Sequence, residues 1–377
     1  MPRIVVDPWL IPWMTHLPPF QMLPQLVWGS TATMCEFEMR PVNCPSFTAV
    51  QACRLLRRDV LLCAGLAMAP STSPADTSAW GFLIEHAGSI ADRNGRLRVV
   101  DAATDWDSRA KGLFAERMGL GLALWLLWRR FQVVHVADAA PFIATVLQDP
   151  TSPYHGSGLH LIGTNGAVRP DFFCLTGGSE VVVAESKGAI GPPSAVSSAE
   201  KQKAKQQTQN VQPIGVPLRV SENRLVFATT LRTASETARA NKDTGVHVED
   251  PEGADEPVPI RVSADAIVVN AYSKVLQLAG LGLVALSLQR GHHPLMPPQV
   301  PTLEFEGESL VLLGSAFGMH LTILTSVAKS LLNEPFEGVA ARVSRALHES
   351  RLAMSSGERT PEAALVLPNG VVALATL

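Results

Sequence analysis

Neither positive nor negative charge dominates this chain, and charged residues of both kinds are scarce. They make up 17% of the 377 positions, with 31 basic against 34 acidic residues and a formal net charge of −3. This balance excludes a basic field over the whole surface, so a polyanion would need a local patch. Only eight of the basic residues are lysines, so a lysine inside a motif is informative. The 46% of hydrophobic residues excludes a disordered chain.

Cysteine is also rare, and its spacing does not indicate disulfides. The five cysteines are Cys35, Cys44, Cys53, Cys63 and Cys174. Their number is odd, none forms a C-x-x-C pair, and no secretion signal precedes them. We expect buried apolar thiols. A zinc site built from the first four cysteines and His16 is the alternative, although structural zinc sites normally use closer pairs.

No segment has the pattern of a secretion signal or of a clear membrane span. Asp7 and three prolines interrupt the apolar N-terminus. The longest uncharged stretch, 309–328, contains Gly314, Gly318 and His320, which favour a buried strand, a glycine break and a helix over a span. We therefore expect no membrane association and a cytoplasmic protein.

Several nucleotide-binding and catalytic motifs are missing as well. The chain has no P-loop, no G-x-G-x-x-G before a helix, no zinc-finger spacing and no G-x-S-x-G. These absences argue against an autonomous ATP-driven machine.

Length and composition suggest three regions. At roughly 150 residues per domain, the chain has room for two or three units. We expect a Pro/Trp-rich N-terminal region at 1–105, a regular core at 106–242 and a C-terminal α+β region at 259–377. Residues 196–242 carry eight Lys or Arg against three acids, a net +5, whereas 243–256 carry six acids and no Lys or Arg, a net −6. This second stretch is predicted to be a linker or a long surface loop.

Hydrophobic periodicity and turn residues predict the elements. A first helix is expected at 47–68, with Ser46 as its cap. In the core we expect a helix at 108–130, strands at 131–136, 159–163, 169–175, 181–186 and 224–230, and a helix at 197–211. A loop fills 138–158. Further on, helices are predicted at 264–289, 320–332 and 339–354, followed by a hairpin turn at 368–370.

Three charged residues stand at the ends of two neighbouring core strands. Asp171 follows Pro170 at the head of one strand, and Glu185 and Lys187 end the next one. Residues i and i+2 of a strand share a face, so Glu185 and Lys187 project together. A carboxylate on each neighbouring strand offers hard oxygen ligands suited to Mg²⁺. A lysine beside them could hold a water molecule or a scissile phosphate.

Glu116 adds a further acid from the helix at 108–130. The residues expected on its face of the helix are apolar: Leu113, Leu120 and Ala123. A carboxylate on an apolar face is costly unless it meets a partner or a metal. Gly112 and Gly119 would leave room for another group to approach. A structural salt bridge would explain Glu116 equally well.

These residues resemble the motif of the PD-(D/E)xK nuclease superfamily. The resemblance consists of Pro170-Asp171, Glu185-Ser186-Lys187 and the element order helix, three strands, helix, strand. It covers about 108–232, a third of the chain. The motif is degenerate, and its weight comes from its context as the sole [DE]-x-K in the chain, at the end of a buried strand. The insertion at 137–158 departs from the compact family pattern.

The resemblance implies a fold and a chemistry. The fold would be α/β, a restriction-endonuclease-like mixed sheet flanked by helices, with α+β additions at both ends. Asp171, Glu185 and the backbone carbonyl of Ser186 would bind Mg²⁺, for which Mn²⁺ can substitute. Lys187 would orient or deprotonate the attacking water, and Glu116 would help to place the first metal or hold a second one. The reaction would be phosphodiester hydrolysis, as in an endodeoxyribonuclease, in bacterial restriction or anti-phage defence.

The helix at 197–211 is the candidate nucleic-acid surface. Lys201, Lys203 and Lys205 would contact phosphates, and Gln206 and neighbouring glutamines would contact phosphates or base edges. Arg169, next to the motif, would contact phosphate. His155 and His160 are alternative phosphate ligands or proton shuttles. A merely solvated surface helix is the competing interpretation.

The sequence is also compatible with two other functions. The chain could be a non-catalytic interaction subunit that keeps a nuclease-like scaffold in a homodimer or a multiprotein complex, which its apolar Pro/Trp-rich flanks favour. It could also be an enzyme unrelated to nucleic acid, in which case the motif arises by chance.

Overall fold

The computed structural model describes most of the chain. The described residues are 32–40, 49–69, 86, 88–93, 96–148, 150–151, 169–192, 195–233, 244–291, 300–316, 319–332, 336–350 and 364–375. The predicted strand at 159–163 and the residues His155, His160 and His16 lie outside them. Cys63 and Cys174 are free and buried, as predicted.

The described part of the chain has an α/β fold with three sheets and eight α-helices. The strands are β1 (Ala32–Arg40), β2 (Ala49–Leu56), β3 (Ile90–Arg93), β4 (Arg96–Val99), β5 (Val133–Asp138), β6 (Phe172–Thr176), β7 (Val181–Ile190), β8 (Val211–Ile214), β9 (Arg224–Leu231), β10 (Gly245–Glu249), β11 (Val258–Arg261), β12 (Thr302–Phe305), β13 (Glu308–Ala316), β14 (Met319–Leu324), β15 (Ala364–Val366) and β16 (Val371–Ala375). The helices are α1 (Arg57–Met68), α2 (Ser108–Arg130), α3 (Ala139–Gln148), α4 (Ser198–Gln209), α5 (Ala264–Leu278), α6 (Gly282–Gln289), α7 (Thr325–Leu332) and α8 (Val339–Glu349).

The largest sheet has the order β3-β4-β1-β10-β9-β7-β6-β5, with β2 paired to β1. Its central strands β6 and β9 are buried along their whole length, which fits their continuous apolar sequences. The sheet takes strands from the predicted N-terminal region and from the predicted core. The proposed division into domains stays a prediction.

The predicted order of elements in the core is confirmed where it is described. Helix α2 leads to β5, β6 and β7, which pair antiparallel in succession. Helix α4 then crosses over to β9, which lies parallel to β7. The turn at Gly177 and Gly178 closes the β6–β7 hairpin, as expected. Asp107 begins α2 by accepting hydrogen bonds from two backbone amides of the first turn.

Two predicted loops contain regular structure. Residues 138–158 include the helix α3, in which Pro141 stands in the first turn, where proline is tolerated, and Phe142 and Ile143 are buried. The acidic stretch 243–256, predicted to be a linker, contains β10 in the middle of the sheet, between β1 and β9. Hydrogen bonds hold one of its acids in place: the carboxylate of Asp250 accepts hydrogen bonds from the backbone amides of Glu222 and Arg224.

Three predicted helices contain a strand or a break. The predicted helix at 320–332 begins as the strand β14, which pairs antiparallel with β13 and β16, and is helical only at Thr325–Leu332. The predicted helix at 47–68 is a strand followed by a helix, because residues 49–56 pair antiparallel with β1. The predicted helix at 264–289 breaks between α5 and α6. Gly280 has φ 82° there, and the amides of Gly280 and Leu281 bond the last carbonyls of α5.

The C-terminal residues form an antiparallel sheet of order β12-β13-β14-β16-β15. The predicted hairpin turn is confirmed, with Gly370 at φ 74° and Leu367 bonded to Val371. The uncharged stretch 309–328 forms most of β13, then β14 and the start of α7. Among the described residues, no helix combines the length and the apolar character needed to cross a membrane.

Candidate functional site

Asp171 and Glu185 face each other at one end of the β6–β7 hairpin. The outermost pair of this ladder joins Phe172 to Ala184, so the next residues outward are Asp171 and Glu185. Directly opposed residues share a face, with their Cβ atoms about 5 Å apart. The backbone amide of Ser186 donates a 2.8 Å hydrogen bond to Oδ2 of Asp171. This bond fixes the Asp171 carboxylate against β7.

Lys187 completes the cluster on the same face of β7. Its ammonium group forms an ion pair with Oε1 of Glu185. The Lys187 side chain is 28% exposed, whereas that of Glu185 is fully buried. The other carboxylate oxygen of Glu185, Oε2, is buried and accepts no hydrogen bond from the described residues while both acids are ionised. When one of the two acids is protonated, Asp171 and Glu185 form a side-chain hydrogen bond with each other. An unpaired buried oxygen of this kind is costly unless a further group binds it.

The site holds its two carboxyl groups under electrostatic strain. Burial raises the pKa of Glu185 well above its ordinary value, and the neighbouring Asp171 raises it further, while Lys187 lowers it. Burial likewise raises the pKa of Asp171, against the lowering effects of Lys187, of the Ser186 amide and of a side-chain hydrogen bond with Glu185. Two acids that share a buried site repel each other when both are ionised. A bound cation would relieve this repulsion.

Lys187 keeps its proton in this arrangement. Burial lowers its pKa, but the carboxyl groups of Glu185, Asp171 and Glu116 outweigh burial, and the net pKa lies above the ordinary value. The lysine therefore acts as a charged hydrogen-bond donor, because an ammonium group has no acceptor. It is unsuited to accept a proton from water until the neighbouring charges change.

Glu116 lies near the cluster but is not part of a buried face. Its charge acts on both Asp171 and Lys187. However, Glu116 itself is exposed, and Leu113 on the same face is 44% exposed. The predicted apolar setting is therefore wrong for Glu116 and Leu113, although Leu120 is partly buried and Ala123 is buried as expected. Among the described residues, no three His, Cys, Asp or Glu side chains converge as a metal-binding group, so the metal role of Glu116 stays a prediction.

A glycine contact brings α2 against β7 beside the site. A Cβ atom on Gly188 would lie 1.9 Å from the carbonyl oxygen of Ala115, and one on Gly119 would lie 3.1 Å from the Cα of Gly188. The helix can therefore approach the strand closely only because both positions lack a side chain. The expected role of Gly119 is confirmed, whereas Gly112 faces open space.

Helix α4 begins close to Lys187. It starts with a capping box, in which Ser197 and Glu200 exchange side-chain and backbone hydrogen bonds. These bonds, and then the nearby charge of Lys187, lower the pKa of Glu200. The influence of Lys187 shows that the first turn of α4 lies beside the catalytic candidates.

The predicted nucleic-acid contacts on α4 do not form one face. Lys203 and Gln206 are exposed on one side, whereas Lys201 and Lys205 are partly buried on another. Lys205 forms an ion pair with Glu249 of β10. Side chains three or four positions apart lie next to each other on a helix, which explains why 203 and 206 share one side and 201 and 205 share another. The structure thus separates Lys203 from the other two lysines.

Two glutamines that were expected to bind nucleic acid form hydrogen bonds within the protein instead. Gln207 donates a 2.6 Å hydrogen bond to the carbonyl of Arg169, and Gln209 donates to the carbonyl of Glu252. The first bond ties α4 to the segment leading into Asp171. The helical spacing of Gln207 from the buried Ala204 would have indicated this inward position. The side chain of Arg169 is on the exposed surface next to the motif.

Comparison with protein-family models, curated protein sequences and solved structures finds no match for this chain. The geometry of the site is therefore what supports a function for this chain.

Proposed function

We propose that this protein is a Mg²⁺-dependent nuclease that hydrolyses phosphodiester bonds, with DNA as the favoured substrate. The observation that carries the proposal is the pairing of Asp171 with Glu185 across the β6–β7 ladder, with Lys187 on the same face. Two carboxylates and a lysine at the end of a buried hairpin are the parts such a reaction needs.

The surrounding elements support a restriction-endonuclease-like core. The chain passes from α2 through the antiparallel strands β5, β6 and β7, then through α4 to β9, parallel to β7. This order is the one that the resemblance to the PD-(D/E)xK superfamily implies. In such a core, the helix after the lysine strand lies near the cleft, as α4 lies near Lys187.

The donor set fits a hard divalent cation. Asp171, Oε2 of Glu185 and the backbone carbonyl of Ser186 would hold Mg²⁺, or Mn²⁺ in its place, once both acids are ionised, because both ions prefer oxygen ligands. When bound, the ion supplies Lewis-acid stabilisation of charge on the phosphate and lowers the pKa of bound water. Glu116 is exposed close by and would contribute through water or to a second ion.

Lys187 would work as a positioned donor. It keeps its proton beside the two carboxyl groups, and its 28% exposure lets it reach a water molecule or a phosphate oxygen. A preorganised positive charge at that point stabilises negative charge that develops on the phosphate. Lys187 therefore contributes orientation and charge rather than acting as a base.

The exposed residues around the site would bind the substrate backbone. Lys203, Gln206 and Arg169 are all exposed, and Lys201 is partly exposed. Lys205 would contribute less, because Glu249 already pairs with it. A second copy of the chain or another protein is the further partner we propose, and restriction or anti-phage defence is the context this activity suggests.

One observation favours a non-catalytic scaffold as the second candidate. Glu185 is fully buried, its pKa is raised, and Lys187 already pairs with one of its oxygens. A cluster that satisfies its own charges in this way can serve structure alone.

Cleavage assays separate the two candidates. Supercoiled plasmid, single-stranded circular DNA and a structured RNA would each be incubated with the protein in Mg²⁺, in Mn²⁺ and in EDTA. We expect metal-dependent cleavage of DNA by the wild type and none by Asp171→Asn. Glu349→Gln, at an exposed position on α8, is the matched control. No cleavage of any substrate by the folded wild type would favour the scaffold.

A further inference from the structure

A cavity of about 430 Å³ lies at the opposite end of β6 from the candidate active site. Its wall includes His135 on β5, Leu175 and Thr176 on β6, Asp265 at the start of α5, and Ala341 and Leu347 on α8. His135 pairs with Leu175 across the strands. Leu175 is four residues from Asp171, or about 13 Å along a strand. The cavity is therefore distinct from the Asp171–Glu185 cluster.

The volume and the lining are those of a small-molecule site. Cavities that bind small molecules usually measure about 300 to 1,000 Å³ and combine apolar walls with a few polar groups. Here the wall mixes aliphatic side chains with a small number of polar ones. The cavity lies between β5, the edge strand of the large sheet, and the helices α5 and α8.

His135 is a buried polar group of this wall that lacks a hydrogen-bond partner among the described residues. The residue is 3% exposed, and its Nδ1 atom has no hydrogen-bond partner among the described residues. It stacks at a tilted angle near Tyr272, with ring centroids 5.5 Å apart. Burial lowers the pKa of His135 to about 3, so the ring is neutral at pH 7. A neutral imidazole offers one donor and one acceptor.

Three other polar side chains of the wall already form hydrogen bonds within the protein. The carboxylate of Asp265 accepts the backbone amides of Gly338 and Ala340, and so occupies the N-terminus of α8. The hydroxyl of Thr176 accepts the amide of Glu180, and the ring of His348 bonds the carbonyl of Ser344. A helix N-terminus would otherwise attract an anion. With Asp265 there, the cavity carries a negative charge that repels anions.

We propose that this cavity is a binding site for an uncharged, largely apolar small molecule that carries one hydrogen-bonding group, which His135 recognises. The aliphatic wall takes the apolar body, and the imidazole takes the single polar group. The proposal does not depend on nuclease activity.

Fluorescence titration with N-phenylnaphthylamine tests the site. This probe is uncharged, has two aromatic ring systems and a single N–H group, and brightens in apolar surroundings. Anilinonaphthalene sulfonate has the same skeleton with an added sulfonate, so it isolates the effect of charge. We expect saturable binding of one N-phenylnaphthylamine per chain, and binding of the sulfonate weaker by about tenfold or more, because a buried charge lacks a partner.

Matched variants locate the binding on the cavity. Ala341→Trp would fill the cavity from an exposed position of α8, whereas Arg345→Trp places the same side chain on the same helix outside the lining. We expect Ala341→Trp to abolish probe binding and Arg345→Trp to preserve it. His135→Leu should weaken binding by about fivefold, the effect of one lost hydrogen bond. Melting curves confirm that each variant is folded.

Three results would overturn the proposal. One is the absence of N-phenylnaphthylamine binding by the wild type. Another is binding by Ala341→Trp that equals that of the wild type. The third is sulfonate binding as tight as that of the uncharged probe.

Discussion

Glu185 shows how neighbours set the chemistry of a single residue. One of its oxygens is paired with Lys187, and the other is buried with no donor among the described residues while Asp171 is ionised. Burial and the adjacent Asp171 raise its pKa. A carboxyl group in this state holds a proton more tightly than one in water, and it must release that proton before a cation can bind.

Metal binding should therefore strengthen as the pH rises. Below the raised pKa values of Glu185 and Asp171 the site is protonated and binds weakly, and above them it is ionised and binds well. Calorimetric titration with Mn²⁺ over a range of pH should show rising affinity for the wild type, with protons released on binding. Glu185→Gln should lose most of the affinity, because an amide cannot supply the charge. Glu349→Gln, far along α8, should behave as the wild type.

Equal Mn²⁺ affinity for the wild type and Glu185→Gln would place the metal elsewhere. An affinity that does not change with pH would contradict the coupling to proton release.

At the scale of elements, the contact between α2 and β7 holds the site in place. Gly188 follows Lys187 in β7 and lies under Ala115 of α2, with no room for a methyl group. Ala115 is the residue just before Glu116. Any displacement of the helix would move Glu116 away from the cluster.

Two glycine substitutions measure this contact. Gly188→Ala should destabilise the protein by about 1 to 3 kcal/mol, because the added methyl overpacks the helix–strand contact. Gly112→Ala, at an exposed position of α2 with nothing within 4 Å, should stabilise it by about 0.5 to 1 kcal/mol, because alanine is the better helix former. Urea unfolding gives both values. Equal stability of the two variants would mean that α2 is not in close contact with β7.

The lysines of α4 should contribute unequally to nucleic-acid binding. Replacing Lys201 and Lys203 together with Ala should weaken binding of a short DNA duplex and reduce the slope of log affinity against log salt by about 2, nearly one unit per lost phosphate contact. Replacing Lys205 should have a smaller effect, because Glu249 neutralises it. Fluorescence anisotropy in EDTA measures binding without cleavage. An unchanged slope in the double variant would mean that α4 faces away from the nucleic acid.

Local sequence patterns predicted the elements of the site. Features that depend on contacts with distant parts of the chain were not predicted. Helix α2, the β6–β7 hairpin and α4 follow from periodicity, caps and turn residues within a few positions. The opposition of Asp171 and Glu185 follows from the short turn between their strands. By contrast, β10 pairs with β1, some two hundred residues away, and its acidic sequence suggested a linker. The exposure of Glu116 likewise depends on neighbours that its own helix does not reveal.

At the scale of the whole molecule, the main sheet is assembled from distant parts of the chain. Strand β10 lies between β9 and β1, and Val246 and Val248 of β10 are buried. Arg58 on α1 donates to the carbonyl of Ala364 on β15, and Tyr272 donates to that of Asn369. The C-terminal sheet is thereby tied to the rest.

The predicted core at 106–242 should not fold by itself. A shortened chain of these residues lacks β10 and β1, so β9 would lose its antiparallel neighbour and become an edge. We expect no cooperative thermal transition for the shortened chain and a cooperative one for the full chain, measured by circular dichroism. A cooperative transition in the shortened chain would support an independent nuclease-like domain.

Lys187→Ala provides the most direct test of the proposed activity. The wild type, Lys187→Ala, Lys187→Gln and the surface control Lys329→Ala would be compared by plasmid cleavage in Mg²⁺ and by melting curves. Glutamine keeps a donor near Glu185 without the charge. We expect both Lys187 variants to fold and to cleave about 10² to 10⁴ times more slowly, the scale of losing a charge clamp, while Lys329→Ala cleaves as the wild type. Cleavage by Lys187→Ala at the wild-type rate would contradict the assignment of this cluster as a nuclease site.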